Sequence, residues 1–480
     1  MGFFVQIPAE WVHRYPQAFD ALSQHLSYPV EGAAFQQAYK MGKWDGRNHL
    51  IDKKGRLPAG LVPRAQDYLL ANFPESIEAL LPHLEDEEST LFEIDNYQHD
   101  EKLLRPYQFE AVKTFLAKRK GILEIGTGGG KTRVAVAILK ELCSSSYPGL
   151  FIVPSEDLKR QVIATISELV SPTFCMELWK KKWTPSIPVS VSTASLLSHK
   201  KNKALLQELS LTTKVVVFDE AHHSAANTWY EVAETLDQAD YRMGLTATPY
   251  RTDGSDILLE AATGPVVVSY PLRKLVELGY LVMPQIQMVA TPFPGIRGYD
   301  WRQIYERGIV YNTYRNNTIV ALVNWLIQEN NHIILLVNEL SHGNLFKDAL
   351  GKDCEFLVGD QKVVTKTRRK EILEQFAAKK FPVLIATRLG NEGLDIPAAD
   401  TLVNASGGKA ESTSVQKAGR ITRLYPGKRT ANYYDFQDTH HPLLARHARE
   451  RWNSYLAHGM PGRPVCMGLY QYDPNVCLDS

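Results

Sequence analysis

The chain has 480 residues, 44% hydrophobic and 22% charged; this is room for about three domains and rules out a mainly disordered chain or a fibrous rod. Lys and Arg number 54 against 53 Asp and Glu, a formal net charge of +1, which excludes a polycationic nucleic-acid coat but not one basic face offset by acids elsewhere. Five scattered cysteines without a C-x-x-C pair exclude a disulfide framework and a zinc ribbon, and fit a reducing compartment.

The amino terminus, MGFFVQIPAE, lacks a basic n-region, so no signal peptide is expected. Apolar runs such as Val215 to Phe218 fall far short of the roughly 18 residues a membrane span needs. A cytoplasmic protein without membrane contact is expected. Residues 1–95 form the first expected domain. Its most basic stretch, Tyr39 to Arg56, carries Lys40, Lys43, Arg47, Lys53, Lys54 and Arg56 against Asp45 and Asp52. Lysine and arginine around an aromatic suit phosphate and base-stacking contacts. Lys43, Trp44 and Arg47 are therefore candidate DNA contacts, with Trp44 as a core residue and Asp45-Gly46 as a tight turn the plain alternative. The acidic run LEDEES, Leu84 to Ser89, reads as a solvated linker or helix face.

From there to about residue 455, short Val- and Ile-rich runs alternate with longer helical stretches. Leu150 to Val153, Val215 to Phe218, Ile333 to Val337, Val383 to Ala386 and Thr401 to Val403 read as strands buried on both faces of parallel sheets. The intervening stretches are long enough for crossover helices. Two α/β domains are expected, over 96–280 and 281–455, followed by a tail, 456–480, whose last 20 residues, with Pro461, Gly462, Pro464 and Pro474, read as irregular.

In the first α/β domain, GILEI runs into Gly126-Thr127-Gly128-Gly129-Gly130-Lys131-Thr132 and then an Ala- and Val-rich helix. Glycines let backbone N–H groups approach a phosphate closely, and the helix amino terminus favours the anion. Lys131 supplies a point charge for the β and γ phosphates, and the Thr132 hydroxyl suits Mg²⁺. Ile125 stands where the strict pattern has its first glycine. Farther on, Val215 to Phe218 leads into Asp219-Glu220-Ala221-His222, acids at the carboxyl end of a buried strand, where α/β folds bind ligands. Asp219 is expected at Mg²⁺, Glu220 to polarise the attacking water, and His222 to couple the site to its neighbours.

In this order, the motifs resemble those of superfamily 2 helicases and translocases, over about residues 100 to 440. Leu104 to Gln108 looks like the adenine-recognition segment, which implies nucleotide contacts for Arg105, Tyr107 and Gln108. Ile152 to Gln161 and Val191 to Leu197 look like strand-contacting motifs, which implies DNA contacts at Pro154, Ser155 and Thr193. Leu245 to Pro249 looks like the motif coupling hydrolysis to nucleic acid through Thr246 and Thr248. Ile333 to Gly343 looks like motif IV. Ala386 to Arg388 with Glu392 to Pro397 looks like motif V, implying Thr387 at the strand and Gly393 and Asp395 at the nucleotide. Gln416 to Arg423 looks like motif VI, implying catalytic roles for Gln416, Arg420 and Arg423; Lys417 stands where the family usually has Arg.

The resemblance implies two tandem RecA-like parallel-sheet motor domains and a small α+β accessory domain. One ATP site, with Mg²⁺, would take Lys131, Thr132, Asp219 and Glu220 from one domain and Arg420 and Arg423 from the other. Gly42 to Asp52, followed by GRLPAGLVPR, resembles the accessory domain of phage UvsW-type recombination helicases, and the motor resembles the XPB- and RecG-like branch. A monomeric, ATP-hydrolysing DNA helicase that remodels branched DNA is implied, acting in the host cytoplasm if phage-encoded. A duplex translocase without strand separation and an RNA helicase are the alternatives. Arg446, Arg449 and Arg451 in the helix Leu443 to Trp452, and the basic run Lys362 to Lys370, read either as DNA contacts or as solvated surface.

Overall fold

The computed structural model describes residues 2–30, 32–84, 104–178, 184, 186–219, 226–247, 256–290, 294–298, 300–358, 366–387, 396, 398–408, 417–419, 421–425, 428, 430–468 and 471–472. The chain divides into two compact units. One comprises Met1–Ile125 and Gly130–Pro271, the other Gly126–Gly129 and Leu272–Ser480.

The first unit opens with the accessory region. Strand β1 (Phe4–Gln6) pairs antiparallel with β4 (Arg56–Pro58), and β2 (Ser27–Pro29) with β3 (Arg47–His49). Two-stranded ribbons are marginal alone, and here helices Ala9–Arg14, Pro16–His25, Val62–Asn72 and Pro74–Leu84 supply the core. Trp11, Leu22, Leu57, Leu61, Leu69 and Leu80 are buried together. Trp11 also donates from Nε1 to Ser76 O at 2.7 Å, satisfying the indole N–H inside that core.

This core does not close on itself. Ile257, Leu258 and Ala261, from the helix Asp256–Thr263 of the α/β part, belong to it. Gly60 lies so close to that helix that a Cβ on it would stand 2.1 Å from Glu260 O. Only a residue without a side chain permits that approach. Arg64 and Glu260 join the same faces by an ion pair of 2.5 Å.

The α/β part of the unit is a sheet of seven strands, all parallel. They are β5 (Lys120–Ile125), β6 (Gly149–Val153), β7 (Cys175–Glu177), β8 (Val189–Thr193), β9 (Val215–Asp219), β10 (Tyr241–Thr246) and β11 (Val266–Tyr270). Their order is β11-β5-β10-β9-β6-β8-β7. Strands β6, β8, β9 and β10 are buried at every residue, as expected when helices cover both faces.

The second unit repeats this plan. Strands β12 (Pro284–Ala290), β13 (Ile333–Val337), β14 (Cys354–Leu357), β15 (Val383–Thr387), β16 (Thr401–Asn404), β17 (Ala431–Gln437) and β18 (Gly462–Gly468) are parallel, in the order β14-β15-β13-β16-β17-β12-β18. Strand β19 (Gln471–Tyr472) pairs antiparallel with β18. The irregular tail expected from the prolines thus gives way at Gly462–Gly468 to a strand beside β12. No helix among the described residues is long and apolar enough to cross a membrane.

Candidate active site

The loop from Gly126 to Lys131 follows β5 and leads into the helix Lys131–Leu142. Gly128 and Gly130 have φ of +87° and +83°, a region L side chains rarely adopt. Gly129 N donates to Gly126 O at 2.9 Å, which tightens the turn. Gly130 is the N-cap of the helix, so the first turn behind it presents its N–H groups and the positive end of the helix dipole. Lys131 and Thr132 are the first two residues of that helix, both half-buried.

Asp219 ends β9 and is buried. Leu245 of β10 pairs with Leu123 of β5 on one side and with Asp219 of β9 on the other. One strand therefore separates the glycine loop from Asp219, about 10 Å across the sheet, and both lie beyond its carboxyl edge. Thr246 ends the intervening strand and is fully buried. This arrangement can hold a polyphosphate: N–H groups and a lysine on one side, a carboxylate for a hydrated cation on the other.

Gln108 sits close to the loop. It lies in the first turn of the helix Pro106–Lys118 and is buried. Its Oε1 accepts from Arg105 N at 2.9 Å, and its Nε2 donates to the Tyr107 hydroxyl at 3.4 Å. The Nε2 stands 2.5 Å from where a Cβ on Gly130 would be. Gln108 and the loop thus need a glycine at that point. Tyr107 is buried against Tyr270, ring centroids 5.1 Å apart.

Two expected strand contacts emerge side by side. Val153 of β6 pairs with Thr193 of β8, so Pro154 and Ser155 follow one strand where Thr193 ends the next. Both hydroxyls cap helices: Ser155 Oγ accepts from Leu158 N and Thr193 Oγ1 from Leu196 N, each at 3.3 Å. What these positions offer a phosphate is therefore mainly the helix amino terminus behind each cap. In the second unit Thr387 ends β15, buried and paired with Val337.

Of the motif VI residues, Lys417 and Arg423 are described. Lys417 Nζ donates to Ser406 Oγ at 2.9 Å and reaches Asn404 Oδ1 at 3.5 Å. Burial pushes its amino group down to about 8, because a desolvated ammonium is disfavoured. Arg423 is half-buried and bridges through its backbone to Leu281. Glu220, His222, Thr248, Gly393, Asp395, Gln416 and Arg420 lie outside the described residues.

The side chains of Trp44 and Arg47 take part in holding the accessory fold. Trp44 Nε1 donates to Arg47 O at 2.7 Å. Arg47 donates from Nε to Ser27 Oγ at 2.7 Å and from Nη2 to Ser27 O at 2.8 Å. Lys43 is exposed.

Arg451 is a correction to the reading of its helix as a basic surface. It is buried, with Nε and Nη2 on the two oxygens of Asp435 at 2.8 and 3.0 Å, and Nη1 on Gly408 O at 2.7 Å. Tyr455 OH donates to the same carboxylate at 2.7 Å. Burial opposes the charge on Asp435, and the Arg451 guanidinium and these hydrogen bonds outweigh it, holding the carboxyl below its ordinary range. Arg315 is a second buried cation, on Asp438 at 2.8 Å and Ala405 O at 2.9 Å. These pairs brace β17 and the turn after β16, the same turn that holds Lys417. Sequence reasoning missed Gly60, Arg64 and Glu260: a lone Gly-Leu and two surface-type charges carry no signal of a partner some 200 positions away.

Three family models match, in chain order: the UvsW DNA helicase amino-terminal domain at residues 14–74, the type III restriction enzyme res subunit at 101–251, and the helicase conserved carboxyl-terminal domain at 315–425. The ATP-dependent DNA helicase uvsW of Enterobacteria phage T4 is 24% identical over 454 residues, covering 88% of this chain and 87% of that protein. The DNA 3'-5' translocase XPB2 of Sulfurisphaera tokodaii is 26% identical over 360 residues, covering 67% and 78%. Of some other curated relatives the chain spans little more than half, 57% and 53% in two of them. Among solved structures, the ATP-dependent type ISP restriction-modification enzyme LlaBIII bound to DNA matches with a TM-score of 0.55 at 15% identity, over 76% of this chain and 31% of that one, a likeness of fold.

Proposed function

The chain is an ATP-dependent superfamily 2 helicase of two tandem RecA-like domains with a UvsW-type amino-terminal domain, and we propose that it is a DNA motor that remodels branched duplexes. Fork regression, junction branch migration and D-loop or R-loop unwinding are the reactions meant. One observation carries the reading. The accessory domain shares a hydrophobic core with the helix Asp256–Thr263, eight residues beyond the segment Thr246 to Thr248. A DNA-holding domain fixed to the ATP-binding domain can grip one arm of a junction while the motor pulls another.

The chemistry follows from residues at the sheet edge. The N–H groups behind Gly130 and the Lys131 ammonium hold the β and γ phosphates. Gln108, oriented by Arg105 N and placed against Gly130, reads the adenine edge. Thr132 and Asp219 are the groups that would hold a magnesium ion, which neutralises phosphate charge when bound. Glu220 accepts the proton of the attacking water. Arg420 and Arg423 counter the charge that develops on the transferred phosphoryl group, a role worth about 10³ to 10⁵ in rate for arginines so placed. The amino termini behind Ser155 and Thr193, with Thr387, grip backbone phosphates.

The experiment is a fork-regression assay with a labelled nascent strand. The full chain with ATP releases the paired nascent arms, and Lys131→Ala does not. A chain that hydrolyses ATP on DNA yet leaves forks intact would instead support the second reading, a duplex translocase without strand separation. The match of residues 101–251 to the restriction-enzyme res subunit favours that alternative. Its signature is displacement of a triplex-forming oligonucleotide from linear duplex.

A further inference from the structure

The accessory ribbon carries an excursion that the motor chemistry does not use. Strands β2 and β3 pair Pro29 with Arg47, and Val30 N donates to Gly46 O at 2.9 Å, closing the base of a long connection. Within it lie a turn of 3₁₀ helix, Ala33–Phe35, and a short helix, Gln37–Lys40. Every residue from 34 to 43 is exposed. Three large apolar side chains stand there: Phe35 is 84% exposed, Met41 57% and Tyr39 44%. Among the described residues no other large hydrophobic is as exposed as Phe35. A single exposed apolar residue needs no explanation, but three within seven positions mark a contact surface.

The three differ in what holds them. Gly46 packs against the Tyr39 ring: a Cβ there would meet it at 2.9 Å. Tyr39 therefore anchors the excursion to its base, while Phe35 and Met41 project from it. Trp44 and Arg47 are engaged with Arg47 O and Ser27, so they brace the base. The charge that remains is positive. From residue 31 to residue 44 the sequence has Lys40 and Lys43 against the single acid Glu31. The nearest following acid, Asp45, is occupied by His49 Nε2 at 2.9 Å and Arg47 N at 3.0 Å.

Resting on the branched-DNA reading, we infer that Phe35 and Met41 form an apolar wedge that stacks on the base step exposed at a DNA branch point, with Lys40 and Lys43 on the adjoining phosphates. An aromatic face and a polarisable thioether accept any base. Apolar side chains inserted at a base step are an established way to grip unstacked DNA. Continuous duplex hides its base faces, and a branch point displays them, so the wedge gives the accessory domain a preference for junctions without base-specific contacts.

The test uses the full chain and three probes: a fork with 2-aminopurine beside the branch point, the matching linear duplex, and a single strand. Wild type quenches or enhances the 2-aminopurine signal on the fork, and the double variant F35A/M41A leaves it at the free-fork level. Fork affinity of the double variant falls about tenfold, the scale of one lost stacking contact, and linear-duplex affinity changes less than about twofold by the same reasoning. Phe35→Tyr, which keeps the ring, restores fork affinity. K40E/K43E weakens fork and duplex alike and lowers the salt slope of binding by about two. An unshifted melting curve establishes that the double variant is folded. If F35A/M41A binds the fork as wild type does, with the same fluorescence change, the wedge is refuted. It is equally refuted if light scattering shows wild type self-associated and the double variant monomeric with fork binding unaltered, since the surface then pairs two copies. A wild-type chain with no affinity for any DNA overturns the functional reading as well as the wedge.

Discussion

Arg64 and Glu260 form an ion pair of 2.5 Å, with Arg64 Nε also 2.9 Å from the same carboxylate oxygen. Arg64 lies in the accessory helix Val62–Asn72, Glu260 in the helix Asp256–Thr263 of the ATP-binding domain. The pair fastens the accessory domain to a helix of the ATP-binding domain. Glu260 keeps only 12% of its side-chain exposure, so the pair is screened less than a surface bridge. A double-mutant cycle with Arg64→Ala and Glu260→Ala, followed by chemical denaturation, is expected to give a coupling of about 1 kcal/mol. Strictly additive single effects would contradict the tie.

Asp219 closes the buried strand β9 and is itself buried. Asp219→Asn is expected to lower phosphate release by at least about 100-fold while the chain still shows a cooperative thermal melt. Steady-state ATPase and a thermal melt on one preparation read both, and turnover near wild type would displace Asp219 from the site.

The carboxyl-terminal helix offers an internal contrast. Arg451→Ala strips the cation from Asp435 and leaves a buried carboxylate without it, an expected loss of about 3–5 kcal/mol. Arg446, on the same helix, is exposed and stands 3.7 Å from Glu450. Arg446→Ala is expected to stay within about 0.5 kcal/mol. Equal effects in urea unfolding would mean the buried network is not what braces β17.

Lys417 gives a pH dependence of known sign. Burial lowers its amino group to about 8 from an ordinary 10.5. Between those values the unfolded chain holds the proton and the native chain does not. Stability therefore rises with pH across that window, and below about 8 the full cost of the buried charge is present. Lys417→Met lacks this titration. The stability of wild type minus that of Lys417→Met should increase from pH 7.5 to 9.5 and be flat from pH 6 to 7; a flat difference throughout would place the amino group in water.

Much of the motor was legible because its signals are local. A glycine loop between an apolar strand and a helix reads from consecutive residues, as does an acid closing a Val-rich run, and the sheet register then places Asp219 two strands from the loop. What the sequence concealed depends on distant partners. Arg451 looks like any arginine of a basic helix until Asp435 is seen beneath it. Trp44 and Arg47 read only as an aromatic among basic residues, and their bonds to Arg47 O and to Ser27 across the ribbon carry no sequence signal. Pro464 argued for an irregular end, yet β18 runs beside β12, and among the described residues β19 meets it only at Met467 and Gly468, so Pro464 faces an open edge where a strand tolerates a residue without an N–H. Gly60 reads as an ordinary turn glycine, and only its approach to Glu260 O explains it.

This motor is proposed to act on branched DNA. The most direct measurement is the ATPase rate of the full chain at saturating single strand, linear duplex, fork, four-way junction and RNA, with the concentration of each needed for half-stimulation. Forks and four-way junctions are predicted to stimulate at the lowest concentration and to the highest rate, with RNA the weakest. Strongest stimulation by RNA, or by linear duplex with no gain from a branch, would contradict it.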